Sequence, residues 1–250
     1  EGTMMDSVRD FGSGIMTTLR NKPFRKICLA TFLVFNAFQV IAAFSWFIIV
    51  YYMNAGDPVA AGVWPTLFGS VGALFTCFLV IPVINWCAQT YGKLNTFMVS
   101  QAVSLLGYIF LWWGFSPENP WMMFIPLPLF SFGIGGLFTI MMSMTADICD
   151  MDELETGERR EGTFGAIYWW MVKFGAAVAG AGSGLILSVI GFDQTVAIQS
   201  DETLAMLRLS YVLIPCIGTS IAIFVMRNYD LDEQKANEIR AQLDARAAAK

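Results

Sequence analysis

Lys173 is the residue whose position demands the most explanation. It lies about ten residues into an apolar stretch near 163–190, which at about 1.5 Å per residue puts it near the middle of a roughly 30 Å hydrocarbon layer. A charge at that depth costs at least about 2.5–3.5 kcal/mol, so it should face a polar cavity or a carboxylate. No other apolar stretch offers an acid at matching depth, and the expected partner lies outside this chain. The bland alternative places Lys173 nearer an interface. Trp169 precedes it by one turn, with Tyr168 and Trp170 adjacent. Such rings either hold a cation or stack on a sugar face, or they pack against lipid and neighbouring helices.

Two amides form the next candidate pair. Asn36 and Gln39 lie three apart, and Ala43 and Trp46 continue their helical stripe. Buried amides need partners, which leaves interhelical hydrogen bonding or solute contact. Thr139 and Ser143 are weaker candidates, because such hydroxyls often bond back to their own helix. The segment 146–162 carries seven acids and two arginines. Asp147, Asp150 and Glu153 would share a face in a helix, and Thr156-Gly157 reads as a turn. With Arg159, Arg160 and Glu161, these groups form either a gate of charge-assisted bridges to a facing domain or a solvated charged loop.

These groups need a membrane to be held in. Of 250 residues, 56% are hydrophobic and only 14% charged, too few charges to coat a soluble domain. Six stretches are long enough to cross, near 27–53, 62–84, 95–115, 120–143, 163–190 and 207–226. Turn-rich segments separate them, among them Asn54 to Pro58, Ser116 to Pro120 and Gln194 to Thr203. The fold class is an all-α membrane protein of six transmembrane helices. Residues 1–26 read as an arm, 27–226 as the bundle and 227–250 as a tail helix. Phe11, Ile15 and Leu19 could share a face of the arm, with Pro23 breaking it ahead of the first span. Ala176, Gly180 and Gly184 make a ridge of small residues, for tight packing or for sliding. Gly133, Gly135 and Gly136 likewise permit a bend or close contact.

Lys and Arg concentrate in the arm, around Lys93, at Arg159-Arg160 and in the tail, which places both termini in the cytoplasm. Net charge is −5, with seven acids in 147–161 and five more after Arg227, so no basic face offers itself to nucleic acid. Histidine is absent and the five cysteines form no CxxC pair, which argues against a metal site. No GxSxG, HExxH or GxxxxGK[ST] is present, so an enzyme reading lacks a nucleophile, a metal and a phosphate cradle. The chain starts at Glu1 without a signal sequence and reads as a segment of a longer one.

The run Asp147-x-x-Asp150-x-x-Glu153-x-x-Thr156-Gly157-x-Arg159-Arg160-Glu161-Gly162 resembles the signature of the glycoside–pentoside–hexuronide:cation symporters of the major facilitator superfamily. Met151 stands where that family usually has an aromatic. Lys173 matches the family's lysine position, and Asn21-Lys22-Pro23-Phe24 is similar to the start of its second half. Pro82 through Gly92-Lys93 resembles the superfamily's loop motif, with Gln89 near the place of its usual acid. The resemblance covers nearly the whole chain. It implies the C-terminal six-helix half of a twelve-helix permease, in a bacterial inner membrane, with residues 1–26 as the linker between halves.

The implied activity is Na+- or H+-coupled symport of a sugar or glycoside by alternating access, with no cofactor. The coupling-cation site and most sugar contacts would lie in a missing N-terminal half. This chain would supply Lys173, Trp169, Asn36, Gln39 and Trp46 to the cavity, and Asp147, Asp150, Glu153, Arg159, Arg160 and Glu161 to a cytoplasmic gate. Two alternatives stand beside it: a lipid or lysolipid transporter of the same fold, and a non-transporting six-helix scaffold. A scaffold has no reason to carry a lysine at mid-membrane.

Overall fold

The computed structural model describes residues 18–248, and Phe11 and Ile15 of the arm lie outside them. Helix α1 (Lys22–Phe47) starts five residues ahead of the expected first span, because Asn21 caps it and its Oδ1 accepts from Phe24 N at 3.0 Å. Pro23 falls in the first turn, where its missing N–H costs no helix bond, and the helical turn of residues 18–20 breaks off at Asn21 just ahead of it. A wider π-helical stretch, Ile48–Met53, completes the crossing.

The second crossing is assembled from α2 (Pro58–Ala61), α3 (Trp64–Phe75) and α4 (Ile81–Tyr91). Between α3 and α4 runs a second π-helical turn, Thr76–Val80. Its cause is local: Pro82 has no N–H to give to the Phe78 carbonyl. Gly92, at φ +86°, turns the chain into α5 (Lys93–Gly114). A 3-10 turn, Pro120–Phe124, leads to α6 (Leu127–Thr156), followed by α7 (Glu161–Val189), α8 (Asp201–Met226) and α9 (Glu233–Ala248). Six of these stretches are long and apolar enough to cross a membrane.

The crossings run alternately up and down. Lys93 and Asp147 meet at one end, as do Lys26 and Asp230, and Gly92 lies against Glu233. At the other end Tyr51 packs edge-on against Phe192 with centroids 4.8 Å apart, and Trp64 against Trp121 at 5.1 Å. The first is called the charged end below. Helices α1 and α6 form the centre: α1 carries α7 and α8, α6 carries α3, α4 and α5, and α5 closes onto α8.

The tightest seam is α5 against α6. A Cβ at Gly133 or Gly136 would overlap the Ser104 or Ser100 hydroxyl, so the glycines there allow close contact rather than a bend. Buried Gln101 donates across the seam to the Gly133 carbonyl at 3.0 Å, and Ser104 to that of Phe130 at 3.2 Å. The ridge on α7 is the reverse. Nothing lies within 4 Å of a Cβ placed at Gly180, Gly182 or Gly184. The expected tight packing is absent there among the described residues, and the ridge faces outward. Helix α9 docks across the end of α6, with Arg246 Nη1 donating to the Leu154 carbonyl at 2.9 Å and Ile239 packed on the core.

Candidate functional site

Most acids of the 147–161 segment find their cations within the chain. The acidic segment is not a loop: α6 continues through it to Thr156 and ends at Gly157, whose left-handed φ of +77° lets its N–H reach the Glu153 carbonyl at 2.9 Å. Asp147 takes the Lys93 ammonium at 2.6 and 2.8 Å. Arg159 forks to Glu153 at 2.7 Å, Asp150 at 3.2 Å and Glu161 at 3.0 Å. Arg160 grips Asp152 with two bonds, of 2.5 and 2.8 Å. These bridges tie α5, α6 and the start of α7 together, where the sequence allows either bridges to a facing domain or a solvated charged loop. The carboxylates of Glu153 and Glu161 raise the Arg159 pKa, and Asp152 raises that of Arg160.

Asp152 was missed by the sequence reading. Its side chain is only 8% exposed, the most enclosed carboxylate in any of these bridges. The signal was available: Met141, Met144, Ile148 and Asp152 recur at three- and four-residue steps, so Asp152 sits on the core stripe of α6 and must find a cation.

Mid-span, Lys173 is exposed on α7, and no acid among the described residues lies within 4.0 Å of it. The neighbouring aromatics do not hold it. Trp169 stacks on Phe138 (6.2 Å, 23°), Trp170 on Phe174 (5.1 Å, 4°), and Tyr168 is fully buried. Asn36 turns back on its own helix, donating to the Phe32 carbonyl at 2.8 Å beside Gly175 of α7. Gln39 is half-buried and makes no hydrogen bond among the described residues.

A cavity of about 660 Å3 opens between α1, α3 and α6. Phe38, Ala42, Ser45, Trp46, Gly69, Gly72, Thr76, Phe130, Ser131 and Phe138 line most of it. Of the five residues expected to form a cavity, only Trp46 lines this one, and Trp169 reaches its wall through Phe138. Lys173, Asn36 and Gln39 lie off it. The stripe on α1 that does face it is Phe38, Ala42, Ser45, one position away from the Asn36–Gln39 stripe. Two small faces, Ser45 on α1 and Gly69–Gly72 on α3, leave the space. At the opposite end a second cation is tied down: the Arg208 guanidinium lies 4.2 Å from the Tyr52 ring centre and 4.4 Å from that of Trp112. It also donates to the Trp112 carbonyl at 2.6 Å. Among the described residues no group of three or more His, Cys, Asp or Glu is placed to hold a metal.

With this geometry in place, the comparison with known proteins is decisive for the family. The family model described as MFS/sugar transport protein matches residues 7–233. The chain belongs to the glycoside–pentoside–hexuronide:cation symporter family of MFS sugar transport proteins. Among its relatives, the glucuronide carrier protein homolog of Escherichia coli is 26% identical over 233 residues, 93% of this chain and 49% of that protein. The isoprimeverose transporter of Lactiplantibacillus pentosus is 28% identical over 163 residues, 65% of this chain and 34% of that protein. The symporter-family chain thus spans about half the length of the first relative and about a third of the second. Its six crossings correspond to a six-helix half of the superfamily fold.

Proposed function

We propose that this chain is the C-terminal half of a sugar or glycoside transporter that works by alternating access, coupled to Na+ or H+. The observation that carries the reading is the contrast in charge. Lys93, Arg159 and Arg160 at the charged end find carboxylates within the bundle, whereas Lys173 at mid-span has no acid within 4.0 Å among the described residues. A lysine at that depth is costly and is retained where a facing carboxylate or a solute completes it. The completing carboxylate would come from an N-terminal six-helix half, and the cation it couples to would bind there. The concentration of Lys and Arg at the charged end supports placing that end, and both termini, in the cytoplasm of a bacterial inner membrane.

In this cycle the cavity between α1, α3 and α6 contributes one wall of the solute site, with Trp46 offering a ring to stack on a sugar face. The paired acids and arginines of α6 and α7 brace the cytoplasmic edge as a gate. The bare ridge Ala176–Gly180–Gly184 gives a smooth face against which the other half slides.

A second reading draws on one observation. The cavity lining is mainly apolar, which suits a lipid or lysolipid as well as the apolar part of a glycoside. The test is uptake into vesicles bearing the intact transporter. Radiolabelled isoprimeverose, methyl β-D-glucuronide and a lysophospholipid are each offered under an imposed Na+ or proton gradient. Gradient-driven accumulation of a sugar supports symport. Accumulation of the lysolipid alone, unaffected by sugars, replaces it with the lipid reading.

A further inference from the structure

We propose a second, polar solute site at the charged end, between α4 and α6, that takes a single neutral sugar ring. It rests on the sugar-transport reading and extends it, because nothing in that reading calls for a site away from the main cavity.

The main observation is a set of side chains that decline their usual bonds. Three hydroxyls of α6 donate back to their own helix: Ser131 to the Leu127 carbonyl at 2.7 Å, Thr145 to Met141 at 2.7 Å and Thr156 to Asp152 at 2.8 Å. Thr139 and Ser143 do not, and neither makes any hydrogen bond among the described residues. They are one helical turn apart and line a pocket of about 200 Å3. Across it, on α4, stand Asn85 and Gln89, also one turn apart, both exposed and open to a ligand, with no hydrogen bond among the described residues. Two hydroxyls therefore face two carboxamides in matching register.

The chemistry of this set selects the ligand. Hydroxyls and carboxamides each donate and accept, as do the vicinal hydroxyls of a sugar. The remaining polar walls are Lys93 and Glu233. Lys93 is already committed to Asp147. That pair adds no net charge, and the Glu233 carboxylate disfavours an anion. A neutral polyhydroxyl compound matches the four hydroxyl and carboxamide groups, which both donate and accept. The volume lies below the roughly 300–1,000 Å3 of drug-sized sites, which fits one ring rather than an oligosaccharide. Glu233 opens α9 and its carboxylate lies 2.7 Å from where a Cβ at Gly92 would stand, so the docked tail roofs the site.

Ala88 lines the same pocket without a polar group, which makes Ala88→Cys a reporter that leaves the binding set intact. Alkylation of the A88C variant by N-ethylmaleimide would be followed peptide by peptide by mass spectrometry, with native Cys87 as reference. Methyl β-D-glucoside should slow it about threefold at twice its Kd, since protection follows 1 + [L]/Kd. Equimolar glycine betaine should not. Adding Asn85→Ala and Ser143→Ala should remove the protection. An alkylation rate unchanged by the sugar, equal protection by betaine, or protection that survives the double alanine change would overturn the proposal. If A88C does not accumulate, Ile140→Cys, an apolar position lining the pocket from the facing helix, reports the same protection. Uptake by the unmodified transporter is read in parallel. Protection without sugar uptake keeps this site and sinks the symport reading, and uptake without protection does the opposite.

Discussion

At the charged end every cation in the bridges between α5, α6 and α7 has its carboxylate inside the chain, while at mid-span Lys173 has none among the described residues. The packing divides the same way. The α5–α6 seam is so close that glycine is required, whereas a Cβ at Gly180 or Gly184 of the α7 ridge would meet nothing among the described residues. On the proposed function, the difference separates groups that this bundle pairs for itself from Lys173, which would be completed by a facing half.

The contrast can be broken most severely at Lys173. Lys173→Ala should lower gradient-driven sugar accumulation at least about tenfold, a loss of about 1.4 kcal/mol or more in coupling, with thermal unfolding in detergent unchanged. Arg160→Ala should behave oppositely. It strands the enclosed Asp152 carboxylate and should cost about 3–5 kcal/mol of stability, most of which Arg160→Met with Asp152→Leu should restore. Arg208→Ala removes two aromatic contacts and a carbonyl bond, and should lower stability by about 1–2 kcal/mol. Arg159, half-exposed among three carboxylates, sharpens the comparison from the weak side. Arg159→Ala should change stability by less than about 1 kcal/mol, because solvent screens its bridges. If it also impairs transport, its bridges serve the gate rather than the fold.

Much of the fold was legible because lipid imposes a simple rule on sequence. Apolar stretches of membrane length gave all six crossings, and turn residues such as Asn54 to Pro58 marked their separators. Boundaries were harder. Pro23 has opposite meanings inside a helix and in its first turn, and only the Asn21 cap distinguishes them. The acidic run looks like a loop in sequence because charge density resembles solvent exposure, although helix α6 simply continues through it to Thr156.

The site was less legible. Composition identifies a lysine at mid-depth, but not what the neighbouring aromatics touch, and Trp169 chose Phe138. One residue of register separates Asn36 and Gln39 from the stripe that lines the cavity. That rotation is set by packing of α1 on α7 and α8, which periodicity alone does not fix. Thr139 and Ser143 were set aside on the general habit of helix hydroxyls, and the structure departs from that habit at those two positions.

The most direct test of the account is carbodiimide cross-linking of the intact transporter in its membrane. Dicyclohexylcarbodiimide partitions into the apolar layer and joins an amine to a carboxylate in contact, and the joined peptides are read by mass spectrometry. The account predicts that Lys173 is joined to an acid of the other six-helix half, and that this product falls when sugar and coupling cation are both present. Failure to recover any Lys173 product with an acid of the other half would contradict it.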